Sequence, residues 1–315
     1  MEKAFKDETI DLDVQALIDN KRKKKSISGK IEKLVPAFLL LCASVSVLTT
    51  AGILFTLLRE SITFFSSTSI FDFYTGTQWS PWSGHFGVLP LITGTLLITL
   101  IAAIVAVPLG LMSAIFLSEY ASNRARKIIK PTLEVLAGIP TVVYGFFALT
   151  FVTPLLKSFL PGLGVFNALS AGIVVGIMII PMIASLSEDA MNSVPNNLRE
   201  GALALGATKL EVAFKVVLPA AFSGIMASIV LAISRAIGET MIVVIAAGAS
   251  PALTFDPTRS IQTLTAFIVQ GATGDTTFGS TIYYSIYAVG ATLFIFTLLM
   301  NMLSQYISRK FREEY

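Results

Sequence analysis

The chain has 315 residues, 54% hydrophobic and only 14% charged, with a mean hydropathy of +0.76 and a formal net charge of +3. That balance excludes a water-soluble globule of this length. The single cysteine, Cys42, excludes an intrachain disulfide, and the small net charge matters less than where the charges fall.

Residues 1–33 mix acids and bases and bunch into Lys21-Arg22-Lys23-Lys24-Lys25. This reads as a solvated tail that fixes topology and touches anionic headgroups. No aromatic or folded module accompanies the cluster, so nucleic acid is not an expected partner. The tail is too long and charged, and the first apolar run too long, for a cleavable signal peptide.

A span needs ~20 mostly apolar residues. Six such runs occur, at about 34–58, 90–117, 133–156, 165–187, 217–247 and 281–305. Lys and Arg number nine in 1–33, four in 118–132, three in 188–215 and three at the C-terminus, against one each in 59–87, 157–164 and 248–280. The positive-inside rule therefore places both termini in the cytoplasm, which an even count of spans also requires. The expected division is a basic cytoplasmic tail (1–33), a first transmembrane helix (34–58) and an extracytoplasmic segment (59–87). A core of five further spans follows (88–305), carrying a cytoplasmic loop (188–216), then a cytoplasmic C-terminus (306–315). The fold class is an all-α membrane protein of six transmembrane helices.

Cys42, inside the first run, is expected to act as a small apolar packing residue. In the segment 59–87, Trp79 and Trp82 are expected at the headgroup level, with a docking surface for an extracytoplasmic partner as the alternative. His85 has no ligand-type residue at metal-binding spacing. The second run is interrupted at Pro108-x-Gly110 and the fourth at Pro181, where kinks are expected. The third starts near Pro131, a residue favoured in a first helical turn. Glu134 would lie in that turn as a helix-dipole partner, and Gly138-Ile139-Pro140 breaks the same run.

Between the fourth and fifth runs, residues 200–219 read EGALALGATKLEVAFKVVLP. Leu198, Ala202 and Leu205 recur at helical spacing on one face. Gly206 ends that helix, since glycine reaches positive φ at little cost. Thr208 and Glu211 have the spacing of a capping box that starts a second helix. Leu210, Phe214 and Val217 would line its inner face before Pro219 opposes continuation. Two short helices with a rigid elbow make a knob, suited to a groove in a separate protein.

The fifth run places Ser228, Ala232, Arg235 and Glu239 at i, i+4, i+7 and i+11, one stripe of a continuous helix. A charge at bilayer depth costs ~2.5–3.5 kcal/mol even on the lenient scale. Both charged residues must then face protein or a wet cavity, and i,i+4 spacing lets each partly neutralise the other. The pair is either a structural salt bridge that locks helix register or a gate in an anion pathway. In the loop 248–280, Ile261, Leu264 and Ile268 suggest a short surface helix, or one that shapes the outer mouth of a pore. Arg309, Lys310 and Arg312 close the chain as an anchor.

No G-x-x-x-x-G-K-[ST] occurs, and Gly29-Lys30 lacks both the earlier glycine and the following hydroxyl residue. No nucleophile and base are paired, so the chain is not expected to be an enzyme and requires no cofactor of its own. ATP, if used, must be bound elsewhere.

The spacing E-x-A-x3-G-x9-V-x-L-P, carried by Glu200, Ala202, Gly206, Val216, Leu218 and Pro219, resembles the EAA loop of ABC-importer permeases. Gly201 departs from the usual alanine and should loosen the first helix by roughly 1 kcal/mol. The stretches FGVLPLITGTLLIT (86–99), VPLGLMSAIFLSEYA (107–121), LEVLAGIPTVVYGFFAL (133–149) and SRAIGETMIVVIAAG (234–248) look like the PstC family of permeases of the bacterial phosphate-specific transporter. The resemblance covers about Phe71 to Met302. It implies a type I ABC-importer (MetI-like) fold in the bacterial cytoplasmic membrane. The implied partners are a PstA-like sister permease, a PstB-like ATPase dimer and a PstS-like phosphate-binding protein, with inorganic phosphate as cargo. On that analogy Arg235 and Glu239 belong to the phosphate pathway, and Glu200, Ala202, Gly206, Leu218 and Pro219 to ATPase coupling. The residues themselves leave open another oxyanion or small solute, an ATPase-independent anion channel, or a scaffold that only signals.

Overall fold

The computed structural model describes residues 14–274 and 276–310, with side chains over 34–274 and 276–306. The Lys-rich cluster and the C-terminal Arg309, Lys310 and Arg312 therefore lie outside the described side chains. The chain divides into two units, Met1–Thr56 and Leu57–Tyr315.

The first unit is described from Val14 as a single helix, α1 (Val14–Ser67), whose last residues belong to the second unit. From Leu34 its apolar side chains are exposed all round, Leu34, Phe38, Leu41 and Leu48 among them. Such a helix needs an apolar surrounding rather than water. Cys42 is exposed there too and is no internal packing residue. The boundary expected at 58 falls inside α1, because the apolar register continues through Phe64 and Phe65 to Ser67.

In the second unit, α2 (Ile70–Thr75) leads into a two-residue antiparallel hairpin, β1 (Trp79–Ser80) with β2 (His85–Phe86), pairing Trp79 with Phe86 and Ser80 with His85. Gly76 and Gly87 touch backbone to backbone, where a Cβ on either would collide with the other. Trp79 is 3% exposed, seated edge-on among Phe73, Phe86 and Phe267. It is a core residue, not a headgroup anchor, because the hairpin folds it inward. Trp82 stays exposed.

Helix α3 (Leu89–Ile115) ends in a π-helical turn, Phe116–Tyr120, and runs without a break past Pro108. The amphipathic α4 (Asn123–Ala137) contains Pro131 in its interior and Glu134 in its last turn. Glu134 is thus at the wrong end of the helix for the expected dipole role. The third span starts only after the Gly138-Ile139-Pro140 break. It comprises α5 (Thr141–Phe147), a π-helical turn (Ala148–Val152) and α6 (Thr153–Phe159). The Tyr144 hydroxyl crosses the break and donates to the Leu136 carbonyl at 2.9 Å.

Helix α7 (Ala168–Asn192) also continues through its proline, Pro181, with no interruption. Tight packing against α3 holds both prolines in line, as neighbouring helices do in membranes. A Cβ on Gly110 would sit 2.8 Å from Ile183 Cβ, on Gly172 2.7 Å from Ile101 Cβ, and on Gly176 2.9 Å from the Ala102 carbonyl oxygen. Small residues thus let the two helices approach closely.

Then come α8 (Asn196–Ala204), α9 (Lys209–Val212), a π-helical turn (Ala213–Val217), α10 (Leu218–Ala220), α11 (Phe222–Ile237) and α12 (Met241–Ala246). The segments Lys209–Ala220 and Phe222–Ile237 meet at 73°. The bend falls at Ala221, two residues after Pro219, whose missing N–H is absorbed in the π-helical turn before it. The expected fifth span, 217–247, is therefore not one helix. Its 16-residue α11 reaches about 24 Å, short of the ~30 Å hydrocarbon core.

Helix α13 (Leu264–Thr273) is buried over its first turn rather than lying on the surface, while Ile268 of the expected stripe is only half-buried. Ile261, Leu264 and Phe267 are each at most 1% exposed because the helix drops between α3 and α14 (Thr281–Lys310). Among the described residues, five helices are long and apolar enough to cross a membrane, or six if the bent pair is one span.

Candidate functional site

The knob, α8 to α10, is built much as its sequence directs. Gly206 has φ +87°, its N–H bonds the Leu203 carbonyl at 2.9 Å and the Ala207 N–H bonds Ala202 at 3.1 Å, a Schellman stop. Thr208 Oγ1 accepts from the Glu211 N–H and Glu211 Oε2 accepts from the Thr208 N–H, closing the capping box. That backbone bond, then Lys215 and the Thr208 hydroxyl, holds the Glu211 carboxyl at about 2, below the usual range.

The apolar faces differ from expectation. Leu198, Ala202, Val216 and Leu218 pack onto a core of Val212, Val217 and Ile225. Leu205, however, is 91% exposed, and Leu210 and Phe214 are more than half exposed. The π-helical turn adds a residue to the turn, so Val212 and Ala213 rotate inward and Leu210 and Phe214 outward. With Leu203 they form an apolar patch around the elbow. Glu200, Gly206 and Pro219 are exposed in the same module. A patch rimmed by polar residues marks a docking surface.

A polar network behind the knob was not apparent from spacing. Arg199 of α8 donates to Glu119 Oε1 through Nε and Nη2 at 3.3 Å each, to the Met191 carbonyl at 2.6 Å, to Val194 at 2.7 Å and to Asn196 Oδ1 at 3.0 Å. Arg126 donates to the Leu117 carbonyl and lies 3.5 Å from Glu188, while Lys130 bonds Glu188 and Asp189 at 2.6 Å each. Glu188 is 1% exposed. Burial lowers the Lys130 pKa, but hydrogen bonds and charge from Asp189 and Glu188 outweigh it and raise it above the ordinary lysine value. The only sequence signal was Glu188-Asp189 closing an apolar run, a place where carboxylates need partners.

Arg235 and Glu239 do not form the expected i,i+4 pair. Helix α11 stops at Ile237, and Gly238–Thr240 separates it from α12. Glu239 is 8% exposed and turns to the start of α12, where Oε1 accepts from the Met241 and Ile242 N–H groups at 3.0 and 3.2 Å. Thr265 of α13 donates to its backbone carbonyl at 2.8 Å. Two unpaired amides at a helix start attract the carboxylate more than an arginine on the previous helix does. Arg235 is exposed and, among the described residues, its side chain has no ion pair. Its charge lies within electrostatic range of the Tyr144 hydroxyl. Ser228, lower on the same stripe, bonds Ser187 of α7 at 2.6 Å instead. The sequence singled out the two residues; the helix break gives them separate tasks.

The site thus has two parts, an exposed arginine just before a break between two apolar helices and a capped knob with an apolar crest. Residues 106–313 match the family of binding-protein-dependent transport system inner membrane components, and the chain belongs to that family. It is 36% identical over 294 residues to a probable ABC transporter permease, YqgH, of Bacillus subtilis, covering 92% of this chain and 93% of that one. It is 35% identical over 263 residues to the phosphate transport system permease PstC of Mesorhizobium japonicum, covering 76% and 79% respectively. Among solved structures, a bacterial alginate ABC transporter chain aligns with a TM-score of 0.63 at 17% identity, covering 90% of this chain and 96% of its own. A chain of the MetNI methionine transporter aligns with a TM-score of 0.54 at 17% identity, covering 75% and 100%. The fold is therefore that of ABC-importer permeases, MetI-like, and the chain is PstC-like in sequence.

Proposed function

We propose that this chain is the PstC-type subunit that carries inorganic phosphate through the bacterial cytoplasmic membrane by alternating access. It would work with a PstA-like sister permease, a PstB-like ATPase dimer and a PstS-like binding protein, and both its termini would be cytoplasmic. The phosphate assignment draws on relatives named as phosphate permeases. The observation that carries the mechanism is Arg235, an exposed guanidinium with no ion pair among the described residues, in the last turn of α11 before the Gly238–Thr240 break. Irregular backbone at bilayer depth is tolerated where it lines a cavity. A guanidinium suits a planar or tetrahedral oxyanion through several donors at once, and an unpaired one can hold the anion briefly without first breaking a bridge. Glu239 would fix the break that presents Arg235.

In the cycle, ATP binding closes the ATPases on the knob crest of Leu205, Leu210 and Phe214, with Glu200, Ala202, Gly206, Leu218 and Pro219 setting its shape. The permease pair then opens outward to receive phosphate from the binding protein. Hydrolysis resets it inward. The test is uptake of labelled phosphate by the reconstituted complex with and without the ATPase, in competition with sulfate and molybdate. ATP-dependent uptake that excess phosphate alone suppresses is expected. Preference for another oxyanion overturns the substrate, and uptake that survives removal of the ATPase overturns the coupled mechanism.

A further inference from the structure

The knob attaches to the rest of the chain at two very different joints. At its C-terminal side the backbone turns through 73° into α11, two residues after a proline. At its N-terminal side α8 has no fully buried residue, and its backbone link to α7 is the short turn Ser193–Pro195. Hydrophobic burial alone therefore grips α8 weakly.

Arg199 occupies this weak side. It spends all five of its N–H donors within the protein: two on Glu119, one each on the Met191 and Val194 carbonyls, and one on Asn196. Its side chain is 16% exposed and that of Glu119 10%. Met191 lies in the last turn of α7, whose dipole favours a cation at that end. Glu119 lies in the π-helical turn that ends α3. One planar group thus ties α8 to the ends of both α3 and α7. Those are the helices whose glycine contacts leave no room for a methyl group.

We infer that Arg199 is the positioning residue through which the knob moves α3 and α7 as one body. The inference rests on the knob being the coupling element. Push on the knob would reach α3 and α7 through three bonds of a rigid fork, two to Glu119 and one to Met191, which a flexible single-point ammonium cannot reproduce. Ser118, which donates to Glu119 at 2.9 Å, braces the carboxylate further.

The test compares Arg199→Ala, Arg199→Lys and Glu119→Gln in the assembled, reconstituted importer. The readouts are ATPase co-purification, ATP hydrolysis and phosphate moved per ATP. The expected result for Arg199→Ala is a complex that still holds its ATPase and hydrolyses ATP, with phosphate per ATP down about tenfold, a usual size for site-to-site coupling. Lysine and Glu119→Gln should fall between this and the parent. Unchanged phosphate per ATP in all three overturns the inference, and so does loss of the ATPase, which would make Arg199 only a support for knob shape. Gly206→Pro tests the underlying reading separately. An importer that stays assembled and fully coupled with that change removes the knob from the mechanism, whatever Arg199 does.

Discussion

Helices α3 and α7 and the segment α11–α12 are all apolar, yet they are built on opposite principles. In the first pair two prolines are absorbed without a break, and Gly110, Gly172 and Gly176 bring the helices into close contact. The second is bent at its start and broken at Gly238–Thr240, and is held at the break by a carboxylate on two amides. Close packing allows few arrangements, whereas joints made of hydrogen bonds can open and reform. The contrast is one of backbone continuity: α3 and α7 run unbroken and locked together, whereas α11–α12 is jointed.

The sharpest way to break this contrast is to damage the stiff side. Gly176→Ala puts a Cβ against the Ala102 carbonyl oxygen and Val105, and backbone cannot swing aside like a flexible side chain. It should cost about 1–3 kcal/mol, the usual range for overpacking. Gly176→Leu should leave no assembled permease in detergent, as judged by size-exclusion chromatography. Gly201→Ala, where nothing lies within 4 Å, is the matched control and should be neutral or stabilising by up to about 1 kcal/mol. Equal tolerance at both positions would mean that α3 and α7 are not locked.

Local chemistry made the knob legible in advance: Gly206, Thr208 and Glu211 act within a few residues of one another, and their bonds formed as their spacing implied. Arg235 and Glu239 were legible as charges in an apolar run, but not as separate actors. Helical spacing assumes that the helix continues, and whether Gly238 ends it depends on packing against α5 and α13. Trp79 and α13 were misplaced for a related reason. A surface-like pattern does not reveal that a hairpin folds a tryptophan inward, or that a helix drops between two others. The Arg199 brace joins residues 80 apart in sequence, a distance over which no periodicity speaks.

A smaller perturbation asks whether the jointed side has the two tasks its geometry suggests. Arg235→Gln should reduce phosphate uptake about tenfold or more, some 1.4 kcal/mol of barrier, without loss of assembly. Glu239→Ala strands the Met241 and Ile242 amides and should cost about 1–3 kcal/mol of stability. In a double-mutant cycle on thermal stability the two changes should add to within about 0.5 kcal/mol, as independent sites do. A larger coupling would restore the salt bridge, and failure to assemble in Arg235→Gln would make that residue structural.

The finest distinction concerns the capping box, which belongs to neither region but sets the shape of the knob's apolar crest. Glu211 is held near 2, below the ordinary carboxyl value of 4.5, so its charged form is the one the fold favours. Its contribution is complete above about 4.5 and disappears as pH falls through about 2. Amide exchange at Thr208, corrected for the intrinsic rate, should therefore quicken across that interval as Glu211 Oε2 takes up a proton. In Glu211→Gln the side-chain oxygen can still accept the bond but no longer titrates, so protection at Thr208 should be weaker and flat with pH. Thr208→Ala removes the reciprocal bond and should cost about 1 kcal/mol at neutral pH. If the parent is flat across the interval while the alanine change still destabilises, the hydroxyl alone holds the elbow. The apolar crest then keeps its shape without help from the carboxylate.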